Sequence, residues 1–280
     1  MITLALLGAA GAMGTRIANA LKGDPEFRLF YVETPEGEEK LRSRGLTPTP
    51  LARAVHQSVA TIFAVRDDLI GSVAAQAVPH MRRGAVAIFL DPAAPYAGKL
   101  PKRSDVAYFV THPAHPPIFH DETDPRAIRD YWGDGYAKQA IVSALIQGPE
   151  KAYSVGEYIA KRMFRPVSRS YRLTLEQMIL LEPPLVETVA ATCLTVIREA
   201  MDEVIRRGVP ADAARDFLLG HLKVELAIVF NEINWEFSMG AKKAIEEAKQ
   251  TLFQPDWKER VFSPEAIRTS VAKIVGDLPT

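Results

Sequence analysis

The feature that most constrains this chain is a glycine-rich turn close to its start. An apolar stretch at residues 2–7 runs directly into Gly8-Ala9-Ala10-Gly11-Ala12-Met13-Gly14, and a helical pattern follows over 13–21. Glycines let the backbone turn sharply and let its N–H groups approach a phosphate. The helix that begins there adds the partial positive charge of its N-terminus. The spacing, Gly-x-x-Gly-x-x-Gly, is a variant of the usual Gly-x-Gly-x-x-Gly, so its weight comes from the strand–turn–helix setting. Gly8, Gly11, Ala12, Met13 and Gly14 are therefore candidates to hold a dinucleotide. The competing reading is a plain α/β turn.

The following sequence keeps to the same scheme. Short apolar runs at 28–32, 61–65, 86–90, 106–110 and 140–146 alternate with helical stretches at 36–44, 51–57 and 68–81. Nearly continuous apolar runs are expected of strands buried on both faces of a parallel sheet. From about residue 149 the strand signal disappears. A long helical pattern covers 173–207, with a kink or break expected at Pro183-Pro184. A second covers about 211–249, with Gly240 as its expected interruption. The predicted fold is α/β: an N-terminal Rossmann-type doubly wound parallel sheet over 1–148, followed by an all-α C-terminal domain over 149–280 for substrate and dimerisation.

Composition narrows the function. The 280 residues are 48% hydrophobic and 24% charged, ordinary globular values. Lys plus Arg and Asp plus Glu are 34 each, so no overall field attracts nucleic acid or an anionic membrane. No apolar run approaches the roughly 20 residues that span a bilayer, and no membrane association is expected. The single cysteine, Cys193, forbids an intramolecular disulfide, and the N-terminus lacks a signal-peptide pattern. The expected location is the cytoplasm.

Two further features bear on a coenzyme. Glu33 ends the second predicted strand, about 20 residues after the glycines, where a carboxylate accepts from both ribose hydroxyls of NAD and repels the extra phosphate of NADP. Val65 and Arg66 end the third, at the loop over which many dehydrogenases pass the nicotinamide ribose. A simple helix cap by Asp67 or Asp68 would leave the same pattern.

The chemical candidates lie in Thr111-His112-Pro113-Ala114-His115-Pro116-Pro117-Ile118-Phe119-His120, which holds three of the six histidines. It follows a strand, at the carboxyl end of the sheet, where open α/β folds bind ligands. His112, His115 and His120 are candidate catalytic residues, and imidazoles suit zinc. The spacing is not a specific zinc signature, and a turn-capping histidine fits as well. Glu182 lies in an apolar stretch, where a charge is costly unless paired or metal-bound; a solvent-facing position is the alternative. Glu187, His221, Lys223 and Glu225 read more simply as parts of exposed helix faces.

Taken together, the Gly8–Gly14 turn, Glu33, Leu90-Asp91-Pro92-Ala93-Ala94-Pro95, the histidine–proline segment 111–117 and Gly208-Val209-Pro210 with Phe217-Leu218-Leu219-Gly220-His221 resemble the D-apionate oxidoisomerase family. That family is related to 6-phosphogluconate and 3-hydroxyacid dehydrogenases and to ketol-acid reductoisomerases. The resemblance implies NAD-linked oxidation and rearrangement of a branched sugar acid, D-apionate to 3-oxo-isoapionate, with a divalent metal, zinc. It implies His115 and Glu182 as metal ligands, and Gly11, Ala12, Met13, Gly14 and Glu33 around NAD. The lysine and asparagine spaced four apart in 3-hydroxyacid dehydrogenases are absent: Lys223 is followed by Ala227. His112 or His120 is expected to relay the proton. Apolar positions on more than one side of the long helices predict a homodimer. The alternatives are a prephenate- or 6-phosphogluconate-type dehydrogenase or reductase, and a non-catalytic NAD-sensing dimer.

Overall fold

The computed structural model describes residues 1–278. Its first compact unit comprises Met1–Leu181 and the residues from Arg268 on. A seven-stranded sheet organises it: β1 (Ile2–Leu7), β2 (Phe27–Val32), β3 (Ala60–Phe63), β4 (Val86–Phe89), β5 (Ala107–Pro113), β6 (Gln139–Gln147) and β7 (Val167–Arg172). The spatial order is β2-β1-β3-β4-β5-β6-β7. The first five strands are parallel, β6 runs antiparallel to β5, and β7 is parallel to β6. Every residue of β3 and β4 is buried, which is why their sequences read as unbroken apolar runs. On one face α1 (Ala12–Leu21) packs against α7 (Glu150–Met163), with Ile17, Leu21, Ile159 and Met163 closing over Leu4, Ile62 and Ile88. On the other, Phe63 stacks on Phe89 at 4.7 Å.

The chain moves outward from β1 in both directions, to β2 on one side and β3 on the other. The carboxyl ends of β1 and β3 are thus the topological switch point, where such sheets bind ligands. Because β6 is antiparallel, its first residue, Gln139, also reaches this edge.

Two expectations are corrected in this unit. The strand signal does not end near 149: β7, Val-Ser-Arg-Ser-Tyr-Arg, is the outermost strand and has no buried residue. A polar edge strand lacks the apolar run that betrays a central one. The boundary expected at 148 accordingly falls between β6 and α7, inside the sheet's unit, since α7 packs on β4, β5 and β6.

The second unit, Glu182–Ile267, is helical. Here the prolines do not break the long helix. α8 (Leu175–Leu180), opened by a Thr174–Gln177 capping box, passes into wider π-type turns over Leu181–Ala190 and then into α9 (Ala191–Arg206). Widening accommodates rings that cannot donate to the preceding turn. α10 (Ala211–Val229) ends at Phe230, and Asn231 takes a left-handed φ of 58°. α11 (Met239–Leu252) starts afresh under a Ser238 cap, so the interruption lies at 230–238 and Gly240 is helical. No residue of α9 or α11 is buried, and of α10 only Ala214 is. The span Leu175–Arg206 is, by length and composition alone, long and apolar enough to cross a membrane, contrary to the expectation that no such run exists.

Candidate active site at the carboxyl edge of the sheet

The glycine turn is built around two positions that admit no side chain. Gly8 has φ +77°, and a Cβ there would lie 2.2 Å from the Ala64 carbonyl oxygen at the end of β3. At Gly14 a Cβ would lie 2.0 Å from the Gly8 carbonyl oxygen. The first contact brings the turn against β3; the second brings α1 down on the turn. Gly11 stands at the N-cap of α1, and among the described residues no side chain caps the helix or places an acid in its first turn. The N–H groups of Ala12 and Met13 therefore head a helix whose positive end is suited to a pyrophosphate.

Glu33, directly after β2, faces this turn. Its Oε1 accepts from the Ala10 N–H at 2.7 Å and its Oε2 from the Thr34 N–H at 3.1 Å. Val65 lies against Gly8. Arg66 is exposed and forks onto Asp68, with Nη2 2.7 Å from Oδ2. The first residue of α4 (Asp67–Ala77) is Asp67. Burial pushes its carboxyl above the usual value, the nearby His112 opposes that, and Asp68 adds to it.

At the end of β5, His112 is partly buried. Its Nδ1 lies 2.9 Å from the Pro113 carbonyl oxygen, so Nδ1 carries the proton and Nε2 the lone pair. Burial holds the imidazole below its ordinary pKa; the Pro113 carbonyl and Asp67 raise it in part, and the Arg16 guanidinium depresses it further. Burial thus favours the uncharged imidazole. His115 takes a left-handed φ of 60°. Its Nδ1 is 3.0 Å from the Trp132 carbonyl oxygen, and its ring lies against Trp132 with centroids 4.8 Å apart and planes tilted by 37°. The two rings, His112 and His115, are 6.3 Å apart between centroids. His120 joins neither: it is exposed, and its hydrogen bond is from the Glu122 N–H.

Several residues here escaped the sequence reading. Asp130 is 5% exposed and its carboxylate accepts four backbone N–H groups, those of Gly133, Asp134, Tyr136 and Ala137, at 2.6–3.0 Å. Burial alone would raise its pKa, but those four donors outweigh it and the carboxyl titrates low. Arg16 is also 5% exposed, on the apolar face of α1. The run Asp-Tyr-Trp-Gly-Asp-Gly at 130–135 carried the turn chemistry that signals such a loop. Nothing local flags Arg16.

The residues around the turn fit a dinucleotide. A closed metal site is another matter. Among the described residues no three His, Cys, Asp or Glu side chains come together as metal donors. Glu182 is partly buried, at the start of the widened turns of the second unit.

Residues 120–275 match the phosphogluconate dehydrogenase (decarboxylating) C-terminal family. The chain is 52% identical over 274 residues to a D-apionate oxidoisomerase of Cupriavidus necator, covering 97% of this chain and 98% of that protein. It is 50% identical over 276 residues to a D-apionate oxidoisomerase of Rhizobium rhizogenes, covering 98% and 100%. Among solved structures, a semialdehyde dehydrogenase NAD-binding protein from Cupriavidus necator, in complex with calcium and NAD, superposes with a TM-score of 0.93. It is 51% identical and covers 98% of this chain and 99% of its own.

Proposed function

Since the chain belongs to the D-apionate oxidoisomerase family, we propose that it oxidises D-apionate with NAD and rearranges the carbon skeleton to 3-oxo-isoapionate. It is an NAD-dependent oxidoreductase. The observation that carries the finer reading is the meeting, at one edge of the sheet, of an anion-ready glycine turn with an imidazole whose Nδ1 is tied to a backbone carbonyl.

Bound NAD supplies the hydride acceptor. Ala12, Met13 and the Gly8–Gly14 backbone bind its pyrophosphate, and Glu33 accepts from the ribose hydroxyls. Val65 and Arg66 border the passage toward the nicotinamide. His112 takes the substrate hydroxyl proton at Nε2, as a base whose uncharged form burial favours. Asp67, facing it, favours the imidazolium as it forms. His120 has no part in this scheme.

Metal assistance is a separate element of the proposal, with His115 as a protein donor. An imidazole donor favours zinc; calcium, the ion in the Cupriavidus necator structure, takes oxygen ligands. The proton and hydride roles above do not depend on it. We further propose a cytoplasmic homodimer. Helices with almost no buried residue gain too little from their own contacts to stand alone, and a second copy covers their apolar faces.

The test is NADH formation over a panel of branched and linear sugar acids, with calorimetry of NAD binding. D-apionate is expected to be turned over in preference to linear acids, and absence of turnover with NAD bound would leave only a sensing role. Chelation is expected to abolish turnover while NAD still binds, with zinc restoring it. Full activity after chelation removes the metal.

A further inference from the structure

We propose that Arg16 and Trp132 are positioning residues for His115, a role that rests on the functional reading above. Arg16 lies one turn into α1, just past the glycines. Its Nη2 donates to Gln139 Oε1 at 2.8 Å, and Gln139 Nε2 donates to the Phe164 carbonyl oxygen at 2.8 Å. Its guanidinium carbon lies 5.7 Å from the Trp132 ring centroid and 5.3 Å from that of Phe164. The loop closes tightly on it: a Cβ at Gly133, where φ is +87°, would sit 2.3 Å from Arg16 Nη2. Asp134 and Asp130 supply the counter-charge.

The cost of this arrangement is visible. Arg16 Nε and Nη1 are buried and have no hydrogen-bond partner among the described residues. Leaving buried donors unmet costs the desolvation of each without a compensating hydrogen bond. A long apolar side chain would fill the same volume without that penalty, so packing alone does not account for an arginine. A planar cation, fixed by Gln139 and held against an aromatic face, does.

Trp132 carries the effect to the histidine. It is 43% exposed, so it is not a core residue. Its ring lies against that of His115 at a 37° tilt, and its carbonyl oxygen faces His115 Nδ1. A carbonyl only accepts, so His115 Nδ1 holds the proton. His115 also takes a left-handed backbone, with φ of 60°.

The primary test needs no substrate. Nitrogen NMR of the imidazoles is recorded at about pH 8.5, roughly two units above the ordinary histidine pKa. Wild-type His115 is expected as the Nδ1–H tautomer; Trp132→Ala keeps the backbone carbonyl but removes the ring that holds the imidazole against it, and Arg16→Met removes the cation behind that ring, so both are expected to give a mixture. Unchanged tautomers in Trp132→Ala overturn the proposal, and because Trp132 is exposed that variant stands even if Arg16→Met fails to fold. Kinetics provide the second readout. Each single variant is expected to lower kcat by about 10- to 100-fold, the usual loss when a residue that orients a site group is replaced. The Kd for NAD is expected to stay within about twofold. Trp132→Phe, which keeps the platform, is expected to recover most of the loss, and the double variant is expected to be no worse than the poorer single one. Wild-type kcat in Trp132→Ala, or losses that multiply in the double variant, overturn the proposal. A wild type inactive on D-apionate refutes the functional reading instead, and the tautomer measurement still decides this one.

Discussion

Glu33 carries two duties with one carboxylate. It ties the Ala10 N–H of the glycine turn and, in the proposed complex, meets the ribose. Replacing it by alanine removes the charge that would repel a 2′-phosphate. Glu33→Ala is expected to raise kcat/KM for NADP relative to NAD by at least about tenfold, a change of about 1.4 kcal/mol; an unchanged ratio clears Glu33 of the selection. At this scale the sequence was informative where function rests on backbone. Gly8 and Gly14 announce themselves because closeness to another backbone demands glycine, wherever the partner lies. Arg16 does not, because its partner Gln139 is 123 residues away and its neighbours in sequence are ordinary helix residues. His115 was legible as a reactive type in a suggestive loop, but its orientation depends on Trp132, which the local pattern does not mention.

The loop after β5 depends on Asp130. Its folded pKa lies below that of an unfolded aspartate, so its contribution to stability is full above the unfolded value. That contribution is lost as pH falls through the folded one. Urea unfolding is expected to show a loss of stability below about pH 4. Asp130→Asn places an amide against two of four N–H donors and is expected to cost roughly 2–4 kcal/mol at neutral pH, with a shallower acid decline than wild type. An equally steep decline would assign the acid sensitivity elsewhere. The helix at Leu181–Ala190 shows the limit of local rules. Proline chemistry correctly marks a defect at Pro183-Pro184, but whether a chain breaks or widens depends on what holds both flanks. With bonds reaching to the fifth residue, Glu182 and Glu187 share one side of the segment; in an ordinary helix they would diverge by about 140°.

For the molecule as a whole, the apolar exposure of the helical unit is the dominant fact. Phe217, Phe230, Trp235 and Met239 are each at least 64% exposed. Light scattering is expected to give twice the mass of one chain, and a charged residue at Phe217 is expected to shift the protein toward monomer; a wild type of single-chain mass refutes the dimer. The sheet was legible nearly entire because its central strands are apolar on both faces, whereas β7 was hidden by its polar edge position. The return of the chain was hidden too. After the helical unit, the last residues rejoin the sheet's unit, where Asp277 Oδ1 lies 2.6 Å from Lys99 Nζ. The helical unit is therefore spliced into the other at two peptide bonds. A protease that nicks the chain beside Leu181 leaves the fragments tethered through Ile267–Arg268, so only a double cut sets the helices loose.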